Sequence, residues 1–258
     1  MMAISLKELA DCIGVSTTGN VSVLRNLLGF FRGQLPPDPT GVPVRVSLLR
    51  QARLLQGRHL HLNVIAVGVD NFDDNDDIEI DYSIYRIRDI YAQVNIGVGR
   101  VEHYGVPTAE ASGFDSPTTS DQLEQITDTW SVPNNGIDVF IPFNMNVCSD
   151  TGCTLGRSAI GGPCEEKNDK GMNGAVTGLW GSEQTSRTFA HEIGHYLNLE
   201  HNHDGSPDCP DTADGCNNLM AQTRCANSCG GGVRAAILLT RGQGNTMDNH
   251  CLARFECS

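Results

Sequence analysis

Three histidines and one glutamate stand at spacings that chemistry could use. The chain reads His191-Glu192-Ile193-Gly194-His195-Tyr196-Leu197-Asn198-Leu199-Glu200-His201. Histidines four residues apart on a helix share one face, one turn apart. Their imidazoles can therefore converge on a single Zn²⁺. Glu192 adjoins the first ligand, so its carboxylate can reach a water on the metal without ligating it. The helix must then turn sharply to bring His201 to the same ion. Asn198 sits where that turn is needed, and asparagine tolerates the left-handed backbone better than most side chains. Three nitrogen ligands leave one position open for water, as in a catalytic rather than a structural zinc site.

This segment resembles the metzincin signature HExxHxxGxxH, with Asn198 in the glycine position. The resemblance implies a methionine in a tight turn beneath the zinc. Met220, in Asn217-Asn218-Leu219-Met220, fits that role, and Met247 is the alternative. Two further segments are similar to the pappalysin-like branch. One is the cysteine-bearing acidic loop Asp208 to Asp214, and the other is Leu239-Thr240-Arg241-Gly242-Gln243 followed by Met247. In layout the likeness runs over about residues 58–257. Gln222 occupies the position where some metzincins carry an oxyanion-stabilising tyrosine, so no tyrosine role is assigned. The resemblance implies a zinc-dependent endopeptidase acting on protein or peptide substrates. Glu192 is expected to activate the zinc-held water and pass its proton to the leaving amine. The substrate is expected to lie extended along the strand near Ala175 to Trp180. The alternative is a latent metzincin-like binding module that keeps zinc as a structural ion.

Weaker signals surround this motif. His203 is two residues past the third ligand and is read as a surface residue. The acidic runs Asp70 to Asp77 and Asp204 to Asp214 supply hard oxygens, which makes Ca²⁺ a second candidate ion. Cys12 could block the zinc as a prosegment thiolate. It is not assigned as a ligand, because ten cysteines pair evenly only if it joins them.

The elements that must position the histidines are partly visible. A helix is expected from about Glu183 to Leu197. A second amphipathic helix is expected from about Tyr82 to Ile96, with Ile84, Ile87, Ile90, Tyr91 and Val94 near helical spacing. Strands are expected at Val44 to Leu49, His59 to Val69, Gly99 to Tyr104, Ile137 to Phe143 and Ala175 to Trp180. The second of these goes from half-exposed to buried. Two short helices are expected within residues 4–31, ahead of a proline-rich boundary at Gln34 to Pro39. A strand, a helix and more strands argue for a sheet with helices packed on it. With the resemblance, the expected fold is α+β: a twisted mixed sheet, two long helices above the zinc cleft, and an irregular disulfide-rich lower subdomain. Residues 1–40 are read as an N-terminal extension, a candidate prosegment, and residues 41–258 as the peptidase domain.

Composition narrows the function class. The chain has 258 residues, 39% hydrophobic and 6% aromatic, with 28 glycines and 11 prolines. That suits one large loop-rich domain with a small extension. A net charge of −13 repels phosphates and argues against a nucleic-acid partner. Nine of the ten cysteines fall at or after Cys148, which points to disulfides and a secreted protein. No apolar run is long enough to span a membrane, and no signal peptide is visible.

Overall fold

Alternating apolar residues build the middle of the molecule, as a computed structural model of the chain shows. The structure describes residues 48–150, 152–164, 172–202, 217–221 and 236–255. The expected helices at 4–31, Cys12, His203, the Asp204 to Asp214 run and Gln222 lie outside the described residues. Strand β1 (Arg58–Val67) runs parallel to β2 (Gly97–Val106) on one side and β3 (Ile137–Pro142) on the other. Further out, β7 (Ala175–Thr177) is parallel to β3, and β6 (Gly156–Ser158) closes the sheet antiparallel to β7. The order is β2-β1-β3-β7-β6, and β8 (Arg254–Phe255) pairs antiparallel with the start of β1. This is the mixed sheet of the expected α+β fold.

Side-chain alternation divides the core between the two faces of the sheet. Leu60, Leu62 and Val64 of β1, with Ile137, Val139 and Ile141 of β3, pack against two long helices. These are α2 (Asp74–Tyr91) and α5 (Ser182–Tyr196), which also pack on each other. Ile65, Val67 and Phe140 point the other way, toward Leu123 and Ile126 of α4 (Ser120–Thr129). Between β2 and α4 lies the single turn α3 (Thr108–Ala111).

Several expected boundaries move, each for a local reason. The described end of the expected Val44 to Leu49 strand is instead the start of helix α1 (Leu48–Leu54). Helix α2 begins eight residues before Tyr82. The acidic run is its N-terminus: Asp73 accepts from the backbone N–H of Asn75 and Asp76 at 2.7 and 3.1 Å, and Asp76 accepts from Asp73 N–H at 3.0 Å. This reciprocal cap satisfies orphan donors and places negative charge at the positive end of the helix. Helix α2 stops at Tyr91, and a short 3₁₀ turn ends at Asn95 with φ 61°.

The polar start of β1 is buried rather than half-exposed. Asn63 donates to Asn134 Oδ1 (2.8 Å) and Asp138 Oδ1 (2.6 Å). His61 Nδ1 accepts from Arg100 N–H (3.1 Å). Partnered in this way, the polar groups lose little on leaving water.

Part of the expected lower subdomain lies among the described residues. Helix α6 (Arg241–Asp248) follows a segment whose Ala236, Ile237 and Leu239 are buried. A disulfide joins Cys251, beyond α6, to Cys164 in the loop after β6. A second disulfide, Cys148–Cys153, closes the hairpin β4 (Cys148–Ser149) and β5 (Gly152–Cys153).

Candidate active site

Helix α5 carries His191, Glu192 and His195, and its start is fixed from outside. Its N-cap is Gly181, which has no side chain to offer the first amides. Glu79 of α2 instead fixes the chain that leads into the helix. Its Oε1 accepts from Trp180 N–H (3.1 Å), Gly181 N–H (2.9 Å) and Thr185 Oγ1 (2.5 Å). Tyr82 donates to Glu183, and the Arg86 guanidinium lies 3.2 Å from the same carboxylate. The two long helices are therefore latched where α5 begins.

The far end of α5 is the turn that the sequence calls for. Asn198 has φ 72°. Leu199 N–H donates to Gly194 O at 2.9 Å and Asn198 N–H to His195 O at 2.8 Å. These paired bonds are those of a helix terminated by one left-handed residue. The chain reverses and returns His201 to the helix face. Nε2 of His201 comes to lie 3.1 Å from Nε2 of His195 and 3.3 Å from Nε2 of His191.

Backbone carbonyls set the tautomers. Nδ1 of His191 is 2.7 Å from Leu219 O, and Nδ1 of His195 is 2.7 Å from Leu199 O. A carbonyl only accepts, so each Nδ1 carries the hydrogen and each Nε2 presents a lone pair. Burial, then the neighbouring His195, holds the His191 pKa down to about 3. Burial likewise lowers that of His195. Both rings are neutral at pH 7, the form that ligates a metal. Three lone pairs facing one another at such distances repel unless a cation sits among them. The donor set thus fits Zn²⁺: three neutral imidazoles at one point, two already oriented by second partners.

Glu192 is 6% exposed and lies beside this group. Gly156 of β6 faces it so closely that a Cβ there would stand 2.7 Å from Glu192 Cγ. Burial pushes the Glu192 carboxyl up to about 8, opposed by the Arg157 cation. A divalent ion held by the histidines would pull it back down.

Met220 is fully buried. Its side chain lies under the last turn of α5, because a Cβ on Gly194 would meet Met220 Sδ at 2.8 Å. Asn218 holds this turn by accepting from Met220 N–H at 2.8 Å. Asn218 and Gln243 of α6 then exchange two amide hydrogen bonds of 2.9 Å. The Leu239 to Gln243 segment is thereby tied to the turn beneath the histidines. Met247 is also buried, within α6.

A cleft of about 750 Å³ runs past His191, Glu192 and His201. One wall is Thr154, Leu155 and Gly156, leading into β6; the other includes Leu219, Ala221 and Ala236. This corrects the expected substrate strand. Strand β7 is hydrogen-bonded on both sides, to β3 and β6, so the edge facing the cleft belongs to β6. Sequence reading missed β6 because three residues between glycine- and cysteine-rich loops carry no alternation. It also missed the carbonyls of Leu199 and Leu219, whose role leaves no mark in side-chain type.

The acidic run at Asp70 to Asp77 does not converge on a point. Asp73 and Asp76 cap α2, and Asp70 accepts from Thr108 N–H at 2.9 Å. Among the described residues only two groups bring three ligand atoms together: the three histidines, and Cys164, His250 and Cys251, whose two sulfurs form a disulfide. No helix among the described residues is long and apolar enough to cross a membrane.

Comparison with known proteins adds the family. Among solved structures, the chain is similar to archaemetzincin from Methanopyrus kandleri at 13% identity, with 74% of this chain and 95% of that one covered and a TM-score of 0.46. It is also similar to metalloproteinase-II from Bacteroides fragilis at 14% identity, covering 74% of this chain and 52% of that one, with a TM-score of 0.45. No curated protein sequence gives a significant match. The family model Reprolysin_5, metallo-peptidase family M12, matches residues 71–233. That span exceeds half of the chain and contains the whole histidine group, and the chain therefore belongs to metallo-peptidase family M12, the zinc metallopeptidases that hydrolyse peptide bonds.

Proposed function

We propose that this chain is a zinc-dependent endopeptidase in which His191, His195 and His201 hold the metal and Glu192 is the general base. The observation that carries the reading is the convergence of three imidazoles, with His201 Nε2 within 3.3 Å of Nε2 of both His191 and His195, beside a buried carboxyl that opens on a cleft. When bound, zinc supplies Lewis acidity toward a water and toward the scissile carbonyl.

The chain's own groups do the rest. Leu199 O and Leu219 O keep the two helical imidazoles aimed at one point, which lowers the cost of assembling the site. Glu192 takes a proton from the attacking water and hands it to the leaving amine. Its buried position gives the carboxylate few competing water contacts. An extended peptide adds to the β6 edge through backbone hydrogen bonds, which leaves sequence preference to the side-chain subsites. Met220 and Asn218 form the floor that keeps α5 at its height.

The Leu239 to Gln243 segment, clasped through Gln243 to Asn218, supports placement near the pappalysin-like branch. The two disulfides support a secreted protein. Residues 1–40 are assigned as an extension ahead of the peptidase domain at 41–258.

The test pairs elemental analysis with casein hydrolysis. About one zinc per chain is expected, with cleavage that stops on chelation and returns on adding zinc. A full zinc complement with no cleavage of casein by either the whole chain or a 41–258 fragment would favour the latent binding module instead.

A further inference from the structure

We infer that the hairpin β4–β5, held closed by the Cys148–Cys153 disulfide, is an outlying part of the substrate site. It makes the enzyme read peptide residues out to about four positions from the scissile bond on one side. The inference rests on the peptidase reading above and specifies the substrate length that the same site takes.

The hairpin and β6 form one continuous wall. From Gly152 to Gly156 every residue lines the cleft that holds His191 and Glu192, and so does Ser149 across the hairpin. Gly156 marks the reacting end, since a Cβ there would stand 2.8 Å from Glu192 Oε1. Gly152 marks the far end. At roughly 3.3 Å per residue the wall reaches at most about 13 Å from the carboxyl, the length of about four residues of an extended peptide.

The hairpin is anchored at its base and bare at its tip. Val147, just before it, is buried in the core on the α4 side of the sheet. Leu155 O, just after it, accepts from Trp180 Nε1 at 2.9 Å and from Gly178 N–H at 3.3 Å. Between these anchors the residues of both strands are exposed, so burial does little to hold their shape. Thr154 N–H donates to Val147 O at 2.8 Å, and Ser149 Oγ donates to Gly152 O at 3.2 Å. A hairpin this short and this exposed is marginal in water. The disulfide across the paired residues Cys148 and Cys153 is therefore what keeps the tip in one conformation along the cleft.

The far end offers backbone rather than side chain. No atom of the described residues lies within 4 Å of where a Cβ on Gly152 would stand, and its φ of 147° favours glycine. Bare backbone suits hydrogen bonding to an extended peptide whatever its side chains. The hairpin thus selects for length more than for sequence.

The experiment uses the zinc-loaded full chain and quenched-fluorescent peptides built around one bond cleaved in casein, lengthened one residue at a time on either side. Wild type is expected to gain about tenfold in kcat/KM, through a lower KM, as one side grows to about four residues, the worth of one or two backbone hydrogen bonds. Cys148→Ser and Cys153→Ser, made together, should lose that gain. The same double variant should cleave the shortest peptide at the parental rate with the parental zinc content, which general damage to the fold would not allow. Ser149→Trp keeps the disulfide but fills the far end of the cleft, and it should lose the gain as well. A wild-type rate independent of length on both sides overturns the inference. So does a parental length dependence in the folded double variant or, where that variant does not fold, in Ser149→Trp. Failure to cleave casein at all refutes the peptidase reading, which is a different outcome.

Discussion

Asn198 offers the most direct test of how the chain shape makes the metal site. It stands at φ 72°, where a Cβ crowds the following carbonyl. For an ordinary side chain that conformation costs about 1–2 kcal/mol, whereas glycine and asparagine adopt it readily. Asn198→Gly should therefore be nearly neutral. Asn198→Ala should cost about 1 kcal/mol, and the β-branched Asn198→Val about 2 kcal/mol or more. The strain has two ways out. If the turn persists without metal, the loss shows in the stability of the metal-free protein. If the turn relaxes, His201 leaves its position and the same energy shows as zinc affinity weaker by about 5- to 30-fold. The sum is the conserved quantity, because Leu199 N–H caps α5 and Leu199 O orients His195. The assay is urea unfolding of the metal-free variants together with zinc competition against a chromophoric chelator. A valine variant matching the parent in both measurements refutes the argument. So does a glycine variant damaged as badly as the valine one, since backbone freedom would then not be what Asn198 provides.

Three further outcomes follow from the same geometry. Glu79→Ala removes the acceptor for two backbone amides and one hydroxyl at the start of α5. It should cost about 2 kcal/mol, read as a Tm lower by roughly 4–8 °C, and Glu79→Gln, which keeps an acceptor, should lose less. Gly194→Ala places a Cβ 2.8 Å from Met220 Sδ and should destabilise by about 1–3 kcal/mol. Combining it with Met220→Ala should cost less than the sum of the two single changes. Acid should weaken the fold through His61, whose pKa is lowered to about 3 by burial, then by His59, Arg100 and Arg254. The unfolded chain takes up a proton near the ordinary histidine value while the folded one resists it. Stability is thus full above about pH 6.5 and falls as pH drops toward 3. His61→Gln should flatten that slope between pH 6.5 and 4 in urea unfolding.

The site was legible where side-chain type and spacing carry the information. His191, His195 and His201 meet as the helix-plus-turn spacing requires, and Asn198 adopts the left-handed backbone expected of it. Met220 lies under α5, while Met247 takes an ordinary core place. Alternation located β1 within two residues of its expected end, because both of its faces meet apolar partners. The beginning of α2 was hidden by acidic residues that look like a loop or an ion site until their caps are seen. Strand β6 is too short to show a period, and it is the one that meets the cleft. The bonds from Trp180 and Gly181 to Glu79 join residues about a hundred positions apart, and no local pattern announces such a contact.

Replacing Glu192 by alanine separates metal binding from catalysis most cleanly, with zinc content and casein hydrolysis measured on the same preparation. The account predicts that Glu192→Ala keeps about one zinc per chain and loses at least about a hundredfold in cleavage rate, as expected for removal of a general base. Cleavage at the parent rate in a fully zinc-loaded Glu192→Ala protein would contradict it.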